Sequence, residues 1–164
     1  MTTEYGAGGG RINEILESDV GKRRGKPPTV KSLIAACDTL FSKIIRFRDL
    51  PELHGFCACC RKLIQYNGCH CGHYVSCQFW KYRWDERNAA ACCVHCNTFL
   101  EGNKGPLSRW IDKKWGAGTA EMLDGTKNGG RKPRIYELAE IKKQLEKKLE
   151  SILSPNRKAP HERN

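Results

Sequence analysis

Apolar residues recur with a helical period in two long stretches of the chain, and a cysteine-rich stretch separates them. The first stretch begins at Thr29 and continues to about Arg48. Its apolar positions lie three or four residues apart, as on one face of an α-helix. Thr29 or Ser32 can cap the start, and Pro51 follows the end. The stripe comprises Val30, Leu33, Ile34, Cys37, Leu40, Phe41, Ile44 and Ile45. We therefore predict a helix with its apolar side towards a core.

The second helical stretch covers residues 134–153 near the end of the chain. Its stripe comprises Ile135, Leu138, Ile141, Leu145, Leu149 and Ile152. A stripe of this kind packs either on the helix's own domain or on a second copy of the chain. Before it, residues 106–116 predict a short helix ending at Gly116, and residues 117–133 predict a basic loop. Residues 1–28 predict a flexible basic arm and residues 154–164 a disordered tail.

The cysteine-rich stretch, residues 55–97, is too polar and too interrupted by glycine to bury much apolar surface. Two Cys-x-x-Cys pairs frame it, Cys57 with Cys60 and Cys93 with Cys96. Two such pairs form a tetrahedral all-sulfur site, for which zinc is the natural ion. A rubredoxin-like iron site would use the same ligands. The interval 61–92 exceeds the ~15–20 residues common between such pairs, so a further segment is inserted there.

The other cysteines have no assigned partner. The chain contains 10 cysteines, no apolar signal segment near its start and no apolar run that could cross a bilayer. We therefore expect a cytoplasmic protein without membrane association, whose thiols bind metal rather than form disulfides. The unassigned residues in the segment are small buried thiols, alternative ligands or a second metal site: Cys59, Cys69, Cys71, Cys77 and Cys92.

The charge balance favours a polyanionic partner. The chain has 29 Lys and Arg against 18 Asp and Glu, a formal net charge of +11. Nucleic acid is the usual partner of so basic a domain, although the charge could also serve only solubility. The predicted phosphate contacts, each of which could instead be solvated surface, are Lys22, Arg23, Arg24, Lys26, Lys43, Arg46, Arg48, Arg83, Lys104, Arg109, Lys113, Lys114, Arg131, Lys132 and Arg134.

Three polar residues inside or beside the cysteine frame suit phosphodiester hydrolysis. His73 can take a proton from an attacking water. The amide of Asn88 can hold the loop that aims the histidine, and Asn97 can help to hold a divalent cation that stabilises charge on the phosphate. Singly, His73 could be an ordinary structural histidine and Asn97 a helix cap. Their order relative to the cysteine pairs makes the nuclease interpretation specific.

The motifs "CDTLFSKIIRFRD", "CACC", "GHYVS", "RWDERN", "CCVHCN" and "EGN" resemble the NinG/Rap recombination endonucleases of lambdoid phages. The resemblance covers roughly residues 30–115. These proteins look like His-Asn-His (HNH) nucleases. The resemblance implies an α+β fold: a small zinc-stabilised ββα-metal core within residues 29–116, flanked by N-terminal and C-terminal helices.

The resemblance also implies roles for individual residues. His73 would be the general base on a hairpin, Asn88 the orienting residue, and Asn97 a ligand of catalytic Mg2+ or Mn2+. Asn103 is a secondary candidate for metal or phosphate contact. Where relatives carry an aspartate ligand this chain has His70, whose nitrogen favours transition metals. Gly72 stands where many HNH sites have an acidic ligand, and Cys77 where relatives often have a basic residue.

The implied activity is metal-assisted cleavage of branched DNA, such as Holliday junctions, leaving 5′-phosphate and 3′-hydroxyl ends. The resemblance places the protein in the bacterial host of a phage or prophage. Two symmetric cuts at a junction favour a homodimer. Two alternatives remain open: a non-catalytic zinc-finger DNA-binding protein, and an HNH nuclease that nicks ordinary duplex DNA.

Overall fold

A computed structural model describes residues 27–154, which form four helices and two small antiparallel sheets. In chain order the elements are α1 (Val30–Asp49), β1 (His54–Phe56), β2 (Leu63–Gln65), β3 (Cys69–His73), β4 (Ala89–Cys93), α2 (Lys104–Trp115), α3 (Thr119–Gly125) and α4 (Ile135–Leu153). The class is α+β, as expected. The predicted basic arm lies outside the described residues as far as position 26, and the predicted tail lies outside them from position 155.

Both residues proposed to cap the first helix take part in its start. The Ser32 backbone N–H donates to Thr29 Oγ1 at 3.1 Å, and the Thr29 N–H donates to Ser32 Oγ at 2.9 Å. This reciprocal capping box satisfies backbone donors that the first helical turn leaves unpaired. At the other end the Leu50 N–H closes the helix on the Arg46 carbonyl.

Helix α4 packs against α1. Leu145 and Leu149 of α4 share a buried cluster with Phe41 and Ile45 of α1. The apolar stripes of α1 and α4 therefore cover each other within one chain. Burial of the stripes accounts for their periodicity without a second copy, and the homodimer remains a prediction.

The sheets hold the cysteine-rich segment in place. Strands β1 and β2 pair through Gly55 and Ile64, and β3 and β4 pair from Cys69 opposite Cys93 to His73 opposite Ala89. Strand β4 is buried along its whole length. A connection of residues 74–88 joins β3 to β4, and a π-helical turn, His95–Phe99, follows β4.

The segment 117–133 differs from the predicted loop because α3 forms within it. Ala120 and Leu123 of α3 are buried, and the Ala120 N–H donates to Asp112 Oδ1 at 2.9 Å. A helix of two turns has too few positions to show a period in the sequence, and tertiary packing stabilises it. The helix expected at 106–116 starts two residues earlier, at Lys104. Within the described range, no helix combines the length and apolar content needed to cross a membrane.

Candidate functional site

Four cysteines of the two Cys-x-x-Cys pairs converge on one point. The sulfur atoms of Cys57, Cys60, Cys93 and Cys96 all lie within 4.8 Å of one another. The Cys60 and Cys93 sulfurs are 3.7 Å apart. Tetrahedral zinc with Zn–S bonds of ~2.3 Å requires sulfur separations of about 3.8 Å. The cluster is therefore compatible with the predicted structural zinc.

Backbone N–H groups stabilise the sulfur cluster. The Cys93 N–H donates to Cys57 Sγ at 3.3 Å, and the Cys96 N–H donates to Cys93 Sγ at 3.4 Å. Asn103, predicted to contact metal or phosphate, donates its side-chain amide to Cys96 Sγ at 3.5 Å. Its observed partner is thus a sulfur of the four-cysteine cluster. Asn103 itself has a left-handed backbone (φ 44°) immediately before α2.

His73 ends strand β3 with its ring fixed at one nitrogen. Its Nε2 lies 3.1 Å from the Arg83 carbonyl oxygen, and the ring contacts Phe41 at a centroid distance of 5.6 Å. Because a carbonyl only accepts, Nε2 carries the proton, and Nδ1 of the neutral ring is the acceptor. Burial lowers the pKa of His73, which favours the neutral ring. A general base must start in this form.

Asn88 lies fully buried just before β4 and makes three side-chain hydrogen bonds. Its Oδ1 accepts from the Val75 N–H at 2.7 Å, and its Nδ2 donates to the carbonyls of Val75 and Tyr82, both at 2.9 Å. The amide therefore ties together both ends of the 74–88 connection. These are the contacts of a side chain that fixes a loop, and its part in catalysis remains a prediction.

Asn97 and His70 are neighbours although 27 positions separate them. Asn97 lies in the π-helical turn, and its Nδ2 is 3.1 Å from His70 Nδ1. Crowding around Gly72, on the same strand as His70, explains why no acidic residue stands directly before His73. A Cβ at Gly72 would lie 2.8 Å from Cys92 Sγ and 3.0 Å from Asn97 Oδ1, so a larger side chain does not fit.

His73, His70 and Asn97 line one pocket. Its volume is about 490 Å³. The other lining residues are Asp38, Phe41, Ser42, Arg46, Cys69, Cys71 and Cys77. The structure thus brings the predicted base and the two predicted ion ligands to a common cavity, with Asn88 supporting its wall. The Asn97 amide nitrogen faces His70, and an amide oxygen turned towards the imidazole nitrogen would form a donor pair that suits a divalent transition metal.

The sequence reasoning did not identify Asp38, which organises this pocket. Its carboxylate accepts from Arg83 Nε and Nη2 at 2.9 and 2.7 Å and from Trp84 Nε1 at 2.9 Å. The carbonyl of the same Arg83 holds His73. Asp38 and Asp49 are the acidic residues of α1, and an acid in the middle of a mainly apolar and basic helix was the sequence feature that distinguished Asp38.

Most of the predicted DNA contacts fall into three groups. The guanidinium groups of the first group have partners within the protein. Arg83 forms an ion pair with Asp38, and Arg48 donates to the carbonyls of Glu86 and Ala89. Arg46, Lys114, Arg131 and Lys132 have neighbours within the chain, namely the Tyr66 ring, Asp49, Glu137 and the Trp80 ring. The third group is solvent-exposed and lies on α2 and before α4: Lys104, Arg109, Lys113 and Arg134.

The other five predicted contacts belong to none of these groups. Lys43 interacts with another group within the protein. Lys22, Arg23, Arg24 and Lys26 lie outside the described residues. All these DNA contacts remain predictions.

Comparison with known proteins adds a family. The family model described as bacteriophage lambda NinG protein matches residues 17–154. Comparisons with curated proteins and with solved structures give no significant match. Because the family match spans most of the 164 residues, the chain belongs to the NinG family of bacteriophage proteins.

Proposed function

We propose that this protein is a metal-dependent DNA endonuclease that hydrolyses phosphodiester bonds in branched recombination intermediates such as Holliday junctions. The observation that carries the proposal is the shared pocket of His73, His70 and Asn97 beside a four-sulfur cluster. The proposed setting is the cytoplasm of a bacterial host, on behalf of a phage or prophage.

In this mechanism the protein positions one general base beside the phosphodiester of one DNA strand. Neutral His73, whose Nε2–H donates to the Arg83 carbonyl, accepts the proton of the attacking water at Nδ1. The oxygen then adds to phosphorus, the bond to the 3′-oxygen breaks, and solvent water protonates the leaving oxygen, which gives 5′-phosphate and 3′-hydroxyl ends. Asn88 keeps Arg83 and its carbonyl in place by fixing the 74–88 connection.

Asn97 and His70 would hold the catalytic divalent ion. When bound, the ion supplies charge neutralisation at the phosphate and the leaving oxygen. Mg2+ or Mn2+ is the expected ion, and the nitrogen of His70 favours Mn2+ or another transition metal over Mg2+. Structural zinc at the four cysteines would keep β4 and the turn that carries Asn97 in register.

Net charge and surface support DNA as the substrate. A charge of +11 and exposed Lys104, Arg109 and Lys113 suit contacts with the phosphate backbone. Two such protein copies could cut the two symmetric strands of a four-way junction.

The decisive experiment compares the parent protein, His73→Ala and a matched control, His95→Ala. His95 is an exposed histidine outside the pocket. Each protein is incubated with junction, flap and linear DNA and with Mg2+, Mn2+, Co2+ or Ni2+. We expect the parent and His95→Ala to cut junctions, and His73→Ala to lose about two to four orders of magnitude in rate.

Each alternative predicts a different result. DNA binding without cleavage by the parent, in any of these metals, would identify a zinc-finger binding protein. Equal cleavage of linear duplex and junction would identify a nicking HNH enzyme. Undiminished cutting by His73→Ala would remove His73 as the base.

A further inference from the structure

A second group of three sulfurs adjoins the four-cysteine cluster. The sulfurs of Cys57, Cys59 and Cys92 also lie within 4.8 Å of one another. The Cys59 and Cys92 sulfurs are 3.6 Å apart, close to the 3.7 Å between Cys60 and Cys93 in the first cluster. Cys57 is common to both groups.

We propose that Cys57, Cys59 and Cys92 bind a second thiophilic d10 metal ion, such as Zn2+ or Cu+, and that the Cys57 sulfur bridges the two ions. The proposal concerns the sulfur clusters alone and does not depend on nuclease activity.

The spacing of the sulfurs fits a metal site. Thiolates that share one ion at ~2.3 Å lie about 3.8 Å apart, whereas a disulfide requires ~2.05 Å. The observed 3.6 Å between Cys59 and Cys92 agrees with the first distance. Cysteine sulfur is the ligand type that selects Cu+ and Zn2+.

The local chain organisation assembles both groups together. Cys59 directly precedes Cys60, and Cys92 directly precedes Cys93. Closing the first cluster around an ion therefore also brings the second pair of sulfurs together. Cys57 and Cys92 are fully buried and Cys59 is half-buried, so water does not compete freely for the second group.

The charge balance permits two ions. Four thiolates around one divalent ion carry a net charge of −2. Six thiolates around two divalent ions also carry −2, because each added ion offsets the two thiolates that are added with it. A second ion thus converts two neutral buried thiols into ligands without raising the buried charge.

Three sulfurs complete the coordination of Cu+, which accepts a trigonal site, and leave zinc one position for an oxygen. The Gly102 carbonyl oxygen is 3.9 Å from Cys59 Sγ. The second site adjoins the pocket at Gly72. A Cβ on this glycine would lie 2.8 Å from Cys92 Sγ and 3.0 Å from Asn97 Oδ1, which is a residue of the pocket.

Cadmium, a spectroscopic substitute for zinc, tests the proposal. Purified full-length protein is exchanged into spin-active Cd2+, and bound metal is measured together with the cadmium NMR spectrum. We expect two equivalents of sulfur-bound Cd2+ per chain and two resonances split by mutual coupling through the shared Cys57 sulfur. Cys59→Ser and Cys92→Ala should each bind one equivalent and give one unsplit resonance.

Cys77→Ser is the matched control, because Cys77 is a half-buried cysteine outside both sulfur groups. It should retain two equivalents and the coupling. One equivalent in the parent protein, or two resonances without coupling, would overturn the proposal. If Cys92→Ala does not fold, Cys59→Ser decides alone, and two coupled ions in that variant would also refute the second site.

Discussion

Main-chain groups hold the polar side chains of the pocket in place. The Arg83 carbonyl fixes His73, while the Arg83 guanidinium is bound by Asp38. Asn88 bonds to the backbone of Val75 and Tyr82. Because these bonds join segments from α1, β3 and the connection before β4, a change at one residue is transmitted to the histidine ring.

Asn88→Ala should weaken the folded state as well as the site. The substitution leaves the Val75 N–H and the carbonyls of Val75 and Tyr82 without their buried partner. Leaving such groups unpaired costs ~1–3 kcal/mol in free energy of unfolding. Urea unfolding at fixed zinc concentration measures the change. Exposed Asn67→Ala is the control, and equal stability of the two variants would contradict the role given to Asn88.

The pH dependence of cleavage should reflect the buried His73. Burial lowers the pKa of this ring, although the carbonyl bond to Arg83 opposes the effect. The neutral, active form therefore persists below the ordinary histidine value of about 6.5. Single-turnover cleavage rates against pH should rise to a plateau with a midpoint below that value. DNA binding is measured at each pH as a control, and a midpoint above about 6.5 would contradict the assignment.

Asp49 connects three elements. It ends α1, and its carboxylate accepts from Arg48 at 2.8 Å, from Lys114 of α2 at 2.7 Å and from the Ala91 N–H of β4 at 2.9 Å. Burial opposes ionisation of Asp49, but the bonds from Arg48, Lys114 and the Ala91 N–H lower its pKa below 3.8 overall. The folded state therefore favours the charged carboxylate.

Asp49→Asn should destabilise the protein in a pH-dependent way. Since the folded-state pKa is lowered, the stabilisation is fully present above the unfolded value and is lost as pH falls through the folded value. We expect a loss of about 1–3 kcal/mol in free energy of unfolding at pH 7, which shrinks below about pH 4. Thermal unfolding of the variant and parent between pH 3 and 7 measures it.

Asp124→Asn provides the control for Asp49. Asp124, on α3, forms a surface ion pair with Lys127. Replacement of Asp124 should therefore change stability little. A similar loss for both variants, or a loss for Asp49→Asn that does not vary with pH, would show that the buried carboxylate does not connect the elements electrostatically.

At the scale of the whole molecule, the described residues form an apolar helical part and a cysteine-rich part. The α1–α4 cluster is apolar, with Phe41, Ile44 and Leu145 in its interior. The segment from β1 to the turn after β4 consists of four short strands and their loops, and the clustered cysteines lie in the loops, in β4 and in that turn. Apolar burial can stabilise the first part, whereas we expect the second part to depend on metal ligation as well.

Removal of zinc should therefore lower the melting temperature strongly. Binding of a structural zinc contributes up to ~10–16 kcal/mol to folding. A strong chelator should shift the thermal transition downwards, added Zn2+ should restore it, and Mg2+ should not. Scanning calorimetry under reducing conditions makes the comparison. An unchanged transition after removal of all metal would mean that the sulfurs are only packed thiols.

The sequence determined features that depend on neighbouring residues. Helical period and capping residues predict α1 and α4 to within a residue or two, since both act over one or two turns. The Cys-x-x-Cys spacing predicts the four-sulfur cluster, because each pair brings its own two ligands together. The motifs around His73, Asn88 and Asn97 led to the NinG family, which the family match confirms.

The tertiary structure decided the features that depend on distant segments. Only packing shows that α4 covers α1, that Asp38 holds Arg83 across 45 positions, and that Cys59 meets Cys92 across 33. Packing also stabilises α3 and leaves room only for glycine at position 72. Periodicity and spacing record what a residue requires of its neighbours in sequence. They do not record which remote side chain fills the adjoining space.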